Sequence, residues 1–219
     1  MTILNKFDSK KYSGLLSPKK ANDELDLRKS EFKELLAKIE QLTEKKGIEL
    51  GLRLLHSHEI PLEDGQAMIE TFSEYEGKPA FITSADLPDN SYPASWILND
   101  EELLVFEYST DPYVKRIYEK LLEDSSVLNE INALIKTYNL ESLIGPCITA
   151  RDMLSNFDMK QGQSLVEHTV KDDGRYKNVV QSLPNVPSSN GIKTLWGAKL
   201  NNACITYLPC YCCVHGKPH

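Results

Sequence analysis

Residues 48–58 read IELGLRLLHSH, and this stretch decides the fold class because it changes the period of a helical pattern that precedes it. After Ile48, leucine occupies every second position up to Leu54. Alternate residues of a β-strand share one face, so the pattern predicts a strand with an apolar inward side. The same parity continues into His56 and His58. Both histidines are therefore expected on the inward side, near the end of the strand.

The preceding segment, residues 18–46, has the period of a long amphipathic helix. Ser17 and Pro18 are suited to begin it, and Gly47, after two lysines, is suited to end it. Its charged face is expected to be solvated, with a partner-binding helix as the alternative. Residues 1–17 are polar and rich in turn formers, and we expect a flexible arm. The apolar residues of the helix recur at spacings of three and four: Phe32, Leu35, Leu36, Ile39 and Leu42.

Strand-rich and helix-rich regions succeed one another along the rest of the chain. Strand patterns occupy residues 48–109, two helices with a short link occupy residues 111–139, and strand patterns return over residues 164–214. An Asp-Gly turn at residues 173–174 marks a strong hairpin. Strands grouped apart from helices predict one α+β domain over residues 18–219, with a largely antiparallel sheet and a helical hairpin, preceded by the N-terminal helix.

Size and charge narrow the classes of function. The chain has 219 residues, enough to bury a core, and a formal net charge of −7. That charge argues against non-specific nucleic-acid binding and against a polybasic membrane-surface role, since both depend on Lys and Arg. No window approaches the roughly 20 apolar residues of a membrane-spanning helix, and no secretory signal is visible. An odd number of cysteines, five, favours a reducing, cytoplasmic compartment.

The C-terminal segment concentrates side chains that bind soft and borderline metals. Cys210 and Cys213 have C-x2-C spacing, and His215 and His219 have H-x3-H spacing. The two pairs lie too close together for a zinc finger, which needs about a dozen residues between them. In a strand over residues 203–214, Cys210 would face away from Cys213 and His215, so one site would need a bend. Structural cysteines with a histidine-containing tail, or redox thiols, are the alternatives.

His56 and His58 form a second candidate metal site. An H-x-H pair on one strand face directs both imidazoles to the same side. We expect these histidines to bind zinc or another transition metal, with Cys210, Cys213 and His215 as further ligands. A carboxylate near in sequence, from Glu59, Glu63, Asp64 or Glu70, is another possible ligand. The alternatives are two hydrogen-bonded structural histidines at a sheet edge, or general acid–base work.

Cys147 is the third candidate. It follows Gly145 and Pro146, where the chain could begin a helix, and a helix N-terminus lowers the pKa of a thiol. His168, in the same half of the chain, would be its base. No family-specific nucleophile pattern surrounds this cysteine, and the alternative is a buried structural cysteine.

Three hypotheses for the function follow. The first is an intracellular protein with a His/Cys metal site, which could serve a metal-dependent enzyme. The second is a non-enzymatic interaction domain with structural cysteines, meeting a protein partner through residues 18–46. The third is a cysteine-nucleophile enzyme that uses Cys147 with His168. Nothing in the sequence indicates a substrate, and the common dinucleotide, phosphate-loop, zincin, hydrolase and calcium motifs are absent.

Overall fold

The computed structural model describes residues 2–58, 60–85, 89–100, 102–152, 163–172, 175–184, 192–197 and 212–213. The helices are α1 (Ser9–Ser13), α2 (Pro18–Leu27), α3 (Lys29–Lys46), α4 (Pro112–Glu123) and α5 (Ser126–Thr137). The first six strands are β1 (Thr2–Phe7), β2 (Leu50–Leu54), β3 (Ile69–Tyr75), β4 (Lys78–Ser84), β5 (Tyr92–Asn99) and β6 (Glu102–Ser109). The others are β7 (Ile144–Ile148), β8 (Gln163–Asp172), β9 (Arg175–Pro184), β10 (Ile192–Lys193), β11 (Leu195–Gly197) and β12 (Cys212–Cys213).

The described strands form one mixed, mostly antiparallel sheet, which confirms the α+β class. Its order is β10-β12-β8-β9-β4-β3-β6-β5-β7-β2-β11, and β1 also pairs with β6. The pairs β1–β6, β3–β6 and β8–β12 are parallel, and the remaining described pairs are antiparallel. The strand order begins with β10 and ends with β11. Only Thr194 separates these two strands in sequence, so the sheet closes on itself through residues 192–197.

The two sides of the sheet differ in what they contact. Helices α2 to α5 pack against one side, where their apolar residues meet the alternating leucines of β2 in the main core. A smaller apolar cluster lies apart from this core and includes Leu55, just after β2. Since the main core takes Leu50, Leu52 and Leu54, the intervening residue Arg53 lies on the opposite side of the sheet. The smaller cluster consists of Tyr12, Leu55, Ile60, Met68, Ile97 and Phe106.

The N-terminal region differs from the sequence-based prediction in two respects. Residues 1–17, expected to be a flexible arm, instead contribute β1 and α1, with Tyr12 only 1% exposed. The aromatic rings of this region supply apolar surface that the count of polar residues understates. The long helix over 18–46 is divided at Arg28, whose backbone (φ −108°, ψ 24°) leaves the helical range between α2 and α3.

The apolar face of α2 and α3 is used by the fold itself. Phe32, Leu35 and Ile39 are buried in the main core, as their spacing predicts, and Leu36 and Leu42 are partly buried against it. Ala21 and Leu25 of α2 are buried there as well. Gly47 ends α3 in the left-handed conformation (φ 63°), which glycine adopts without a steric penalty. Binding of a partner by the charged outer face stays a prediction.

Two predicted hairpins are present. β5 and β6 pair antiparallel around Asp100, and β8 and β9 pair antiparallel around the Asp-Gly turn position. Helices α4 and α5 follow one another with Asp124 and Ser125 between them, and both contribute to the main core. No helix in the described parts of the chain has the length and apolar character needed to cross a membrane.

Candidate functional site

A row of buried residues crosses four strands on the side of the sheet away from the helices. Gly51 of β2 is in register with Cys147 of β7, which is in register with Ser95 of β5, which is in register with Glu107 of β6. All four are buried. Neighbours in register share a face, so residues far apart in sequence come together here.

A β-bulge in β6 places Glu107 in this row. Trp96 pairs with Val105 and Ser95 pairs with Glu107, so one step along β5 matches two steps along β6 and Phe106 is the extra residue. Val105 belongs to the main core, whereas Phe106 belongs to the smaller cluster on the other side. A bulge changes the direction of the side chains that follow it. The carboxylate of Glu107 thereby reaches residues from β2 and from the segment after it.

Glu107 forms a buried ion pair with Arg53. Nη2 of Arg53 lies 2.9 Å from Oε2 and 3.1 Å from Oε1 of Glu107, and the two side chains are 12% and 6% exposed. Nη1 of Arg53 also donates to Oγ1 of Thr194 at 3.4 Å. Burial alone would raise the pKa of Glu107, but the guanidinium of Arg53 and the ring of His58 outweigh it and hold the pKa well below its ordinary value. Glu107 is therefore ionised at neutral pH.

His56 is a neutral imidazole with one nitrogen fixed and the other open. Nδ1 lies 2.8 Å from the carbonyl oxygen of Leu54. A carbonyl only accepts, so Nδ1 carries the proton and Nε2 keeps its lone pair. Nε2 is buried and has no hydrogen-bond partner among the described residues. Burial, followed by the nearby His58 and Arg53, lowers the pKa of His56 well below its ordinary value, so the ring stays neutral at pH 7.

His58 lies beside His56 and faces Glu107. The ring centroids of the two histidines are 4.6 Å apart, with the planes at 70°. Nε2 of His58 lies 3.4 Å from Oε1 of Glu107, and its backbone amide donates to the hydroxyl of Tyr12 at 3.2 Å. Because Glu107 is ionised and can only accept hydrogen bonds, Nε2 of His58 carries a proton that points toward it.

The predicted position of the histidines is therefore right in one respect and wrong in another. Both rings are buried and lie side by side, as the alternation suggested. However, β2 ends at Leu54, so the histidines occupy the connection after the strand. The ring of His56 lies 6.0 Å from that of Phe106, on the side opposite the leucines of β2. Side chains alternate between the two faces of a sheet only within the strand, so the pattern no longer applies after Leu54, where the chain leaves the sheet.

A second buried ion pair lies on the same side of the sheet. Nε of Arg151 contacts Oε1 of Glu70, and the side chains are 9% and 11% exposed. Arg151 also donates to the carbonyl oxygens of Ile148 and Ala150 at 2.6 and 2.8 Å. Burial raises the pKa of Glu70, and the charge of Glu107 raises it further, while Arg151 lowers it. The two glutamates thus have pKa values shifted in opposite directions.

Cys147 lies in β7 and not at a helix N-terminus, which corrects that part of the sequence interpretation. Ile144 and Ile148 enter the main core and make residues 144–148 a buried strand. The thiol is 1% exposed, and burial raises its pKa to about 12. A thiol with this pKa is protonated at neutral pH, so its surroundings do not activate it as a nucleophile.

The structure does not place His168 on a strand next to that of Cys147. His168 pairs through its backbone with Val179 of β9, and its side chain lies outside the described residues. In the order of strands, β9, β4, β3, β6 and β5 separate β8 from β7. The pairing of Cys147 with His168 stays a prediction.

The C-terminal candidates are described only in part. Cys210 and His215 lie outside the described residues, while Cys213 lies in β12 with Cys212. β12 is two strands away from the end of β2: Leu54 donates to the carbonyl of Thr194 at 2.9 Å, and the adjacent Lys193 pairs with Cys212. Each step between strands is about 5 Å. The backbone of β12 therefore lies near the strand that leads into the histidines.

No set of three or more His, Cys, Asp or Glu within the described ranges is arranged to hold a metal ion. The described part of the chain offers two adjacent imidazoles, of which that of His56 is neutral, and the carboxylate of Glu107 behind the other. A complete coordination sphere would need ligands from elsewhere, such as the C-terminal segment or water.

Arg53, Glu107 and Arg151 were not anticipated as members of the site. One signal was present in the sequence: Glu107 is the single charge within the apolar run from Leu103 to Tyr108. A charge inside a buried strand requires a partner. The partner, Arg53, could not be identified without the register of the sheet.

Comparison with known proteins gives no match to a family model, to a curated protein or to a solved structure. The interpretation of the site therefore rests on its geometry and chemistry.

Proposed function

We propose that this chain is a metal-binding protein in which His56 and His58 bind one zinc ion or a similar borderline transition metal. The observation that carries the proposal is the state of His56: Nδ1 is held by the carbonyl of Leu54, while Nε2 is buried, neutral and without a described partner. A neutral imidazole oriented through its second nitrogen is the usual form of a metal-binding histidine.

The contacts of His58 support the same assignment. Its Nε2 faces the ionised carboxylate of Glu107, and Arg53 fixes that carboxylate from the other side. A carboxylate behind a histidine fixes the tautomer and makes the opposite nitrogen a better ligand. His56 and His58 would then bind through Nε2 and Nδ1 respectively. Glu107 and Arg53 would be supporting residues outside the coordination sphere.

Charge balance indicates which further ligands the ion needs. The Arg53–Glu107 pair carries no net charge and the imidazole of His56 is neutral, so these groups would not compensate the two charges of a buried dication. Thiolates supply negative charge and are preferred by zinc. We therefore propose Cys210 and Cys213, with His215 as an alternative, as the remaining ligands; the position of β12 favours this arrangement. Two imidazoles with two thiolates form a closed, structural type of site, whereas one water ligand would open it to catalysis.

The test is the zinc content and thermal stability of the purified, untagged chain and of matched variants. We expect about one equivalent of zinc in the wild type, with a lower melting temperature after chelation. His56→Gln should lose the zinc, and the double variant Cys210→Ser/Cys213→Ser should lose most of it. His168→Gln is the control, since it removes a histidine outside the proposed set. Full zinc retention in His56→Gln would contradict the proposal.

A further inference from the structure

The histidine pair is enclosed, and this raises the question of how a ligand reaches it. His56 and His58 are 0% and 5% exposed. The sheet lies on one side of them, held by the ladders of β2, β5, β6 and β7. Opening that side would break the central strands. Entry therefore requires movement of a less firmly attached element.

The N-terminal segment 8–16 is such an element, and it contacts the histidine segment at three points. The hydroxyl of Tyr12 accepts from the amide of His58 at 3.2 Å. The carbonyl of Leu16 accepts from the amide of Ser57 at 2.9 Å, and the carbonyl of Leu15 accepts from its hydroxyl at 3.2 Å. The amides of two consecutive residues thus depend on one short segment.

An aromatic chain seals the same side. The ring of Tyr12 lies 5.4 Å from that of Phe7 and 5.5 Å from that of Phe106, and Phe106 lies 6.0 Å from His56. Tyr12 thereby both contacts the histidine backbone and closes the apolar layer next to the rings. Its removal would leave a gap beside the histidines.

The segment is weakly constrained by its own structure. α1 has five residues, little more than one turn, and an isolated helix of this length is not stable. Asp8 caps it by accepting from the amide of Lys11 at 2.9 Å, and Lys11 contacts the side chain of Asn99. Elements of this kind open locally with less free energy than the strands of a core.

We propose that residues 8–16 form a cover over the histidine pair, anchored by Tyr12, and that the cover lifts as one unit to admit the metal ion. The inference rests on the proposed function for the identity of the ligand, but the motion itself does not depend on metal. Lifting separates Tyr12 from His58 and Leu16 from Ser57 together, and exposes Nε2 of His56 to solvent.

Hydrogen exchange in metal-free protein tests the motion. In Tyr12→Ala we expect the amides of both Ser57 and His58 to exchange at least about tenfold faster than in the wild type, with those of β2 and β7 unchanged. The Ser57 amide is the informative one, because its acceptor is the backbone of Leu16, which the substitution does not alter. Acceleration of His58 alone would overturn the proposal. If Tyr12→Ala also speeds the exchange of amides in β2 and β7, the milder variant Tyr12→Phe is used instead. In that variant, too, the amides of both Ser57 and His58 must exchange faster than in the wild type.

The rate of zinc uptake tests the role of the cover. Stopped-flow mixing with zinc should give faster association for Tyr12→Ala than for the wild type, while the control Leu27→Ala, at a side chain 79% exposed, should match the wild type. Equal association rates in Tyr12→Ala and the wild type would contradict the proposal that the cover limits the entry of zinc. Absence of zinc binding in all three proteins would instead reject the proposed function. The hydrogen-exchange result alone would then decide whether residues 8–16 lift as one unit.

Discussion

The two faces of the central strands carry different kinds of side chain: one face is apolar and the other contains buried ionisable groups. Toward the helices, β2 presents Leu50, Leu52 and Leu54 to an apolar core. Away from the helices, β2 presents Arg53, and its neighbours present Glu107 and other polar or ionisable groups. One side therefore gains stability simply by excluding water, while the other buries charge and depends on every partner being in place.

This difference shows where a function can be sought. A buried ion pair is weak evidence for stability, because its desolvation offsets much of the attraction between the charges. Two such pairs, Arg53–Glu107 and Arg151–Glu70, lie on one side of the sheet together with His56. Clusters of ionisable groups with shifted pKa values are enriched at functional sites. The polar side is thus the side on which a binding site is expected.

The largest effect is expected from breaking one ion pair. Glu107→Ala leaves the guanidinium of Arg53 buried without its carboxylate, and we expect a loss of about 3–5 kcal/mol in the free energy of unfolding. The double variant Arg53→Met/Glu107→Leu should recover most of this loss, since it removes both charges. Urea unfolding of the three proteins measures the comparison.

The double variant distinguishes a role of the ion pair in the binding site from a role in stability. If it is stable but binds no zinc, the pair serves the site. If it is as unstable as Glu107→Ala, the ion pair contributes to stability and the contrast between the sides is smaller than we state.

The reactivity of Cys147 should depend strongly on folding. The ordinary thiol pKa of 9.0 is raised to about 12 in the fold, so the thiolate fraction at neutral pH falls about a thousandfold. Alkylation with iodoacetamide, followed by peptide mapping, should label Cys147 readily in urea-unfolded protein and barely in native protein. Rapid labelling of native Cys147 would favour the cysteine-nucleophile hypothesis over ours.

On the side of the sheet that faces the helices, a substitution should lower stability only through the volume that it removes from the apolar core. Leu52, 0% exposed, is in the main core, and Leu52→Ala should cost about 3 kcal/mol because it removes apolar contacts and leaves a cavity. Leu27→Ala, at an exposed leucine, is the matched control and should change stability by less than about 0.5 kcal/mol. Zinc content should remain at the wild-type level in both. A loss of zinc in folded Leu52→Ala would show that the two sides are not independent.

The smallest effect is a pH dependence that originates at His56. Its pKa is lower in the folded than in the unfolded state, so its contribution to stability is present above the unfolded pKa of 6.5 and is lost as the pH falls. Between about pH 7.5 and about pH 5.5, metal-free protein should therefore lose stability through this group as the pH falls. Glu107 does not contribute in this window, because its pKa lies below its ordinary value of 4.5.

Replacement of His56 isolates that contribution. His56→Gln should show a flatter dependence of the free energy of unfolding on pH, measured by urea titration at the two pH values. A wild type and a variant with parallel pH profiles would mean that His56 is protonated as easily in the fold as in the unfolded chain.

The sequence anticipates the elements that local patterns determine. The spacing of Phe32, Leu35 and Ile39 identifies the buried face of α3, and the Asp-Gly turn identifies the hairpin of β8 and β9. It does not reveal the break at Arg28 or the docking of residues 2–16, because these depend on contacts with distant parts of the chain. β7 is missed for the same reason: Gly145 and Pro146 resemble a turn, yet β2 pairs with them along its length.

The site was predictable only in its local part. His56 and His58 are recognisable because both lie in one short motif, and their proximity follows from that spacing. The partners Arg53 and Glu107 are 54 positions apart and meet through the register of four strands and a bulge. No local pattern encodes the position of such a bulge, which is why the ion pair behind the histidines emerges only from the fold.

The most direct test of the central claim is zinc K-edge X-ray absorption on the zinc-loaded wild type and on His56→Gln. We predict a first shell with two imidazole nitrogens in the wild type, completed by sulfur, and no bound zinc, hence no zinc edge above background, in the variant. A first shell that contains no imidazole, or one that is identical in the two proteins, would contradict this prediction.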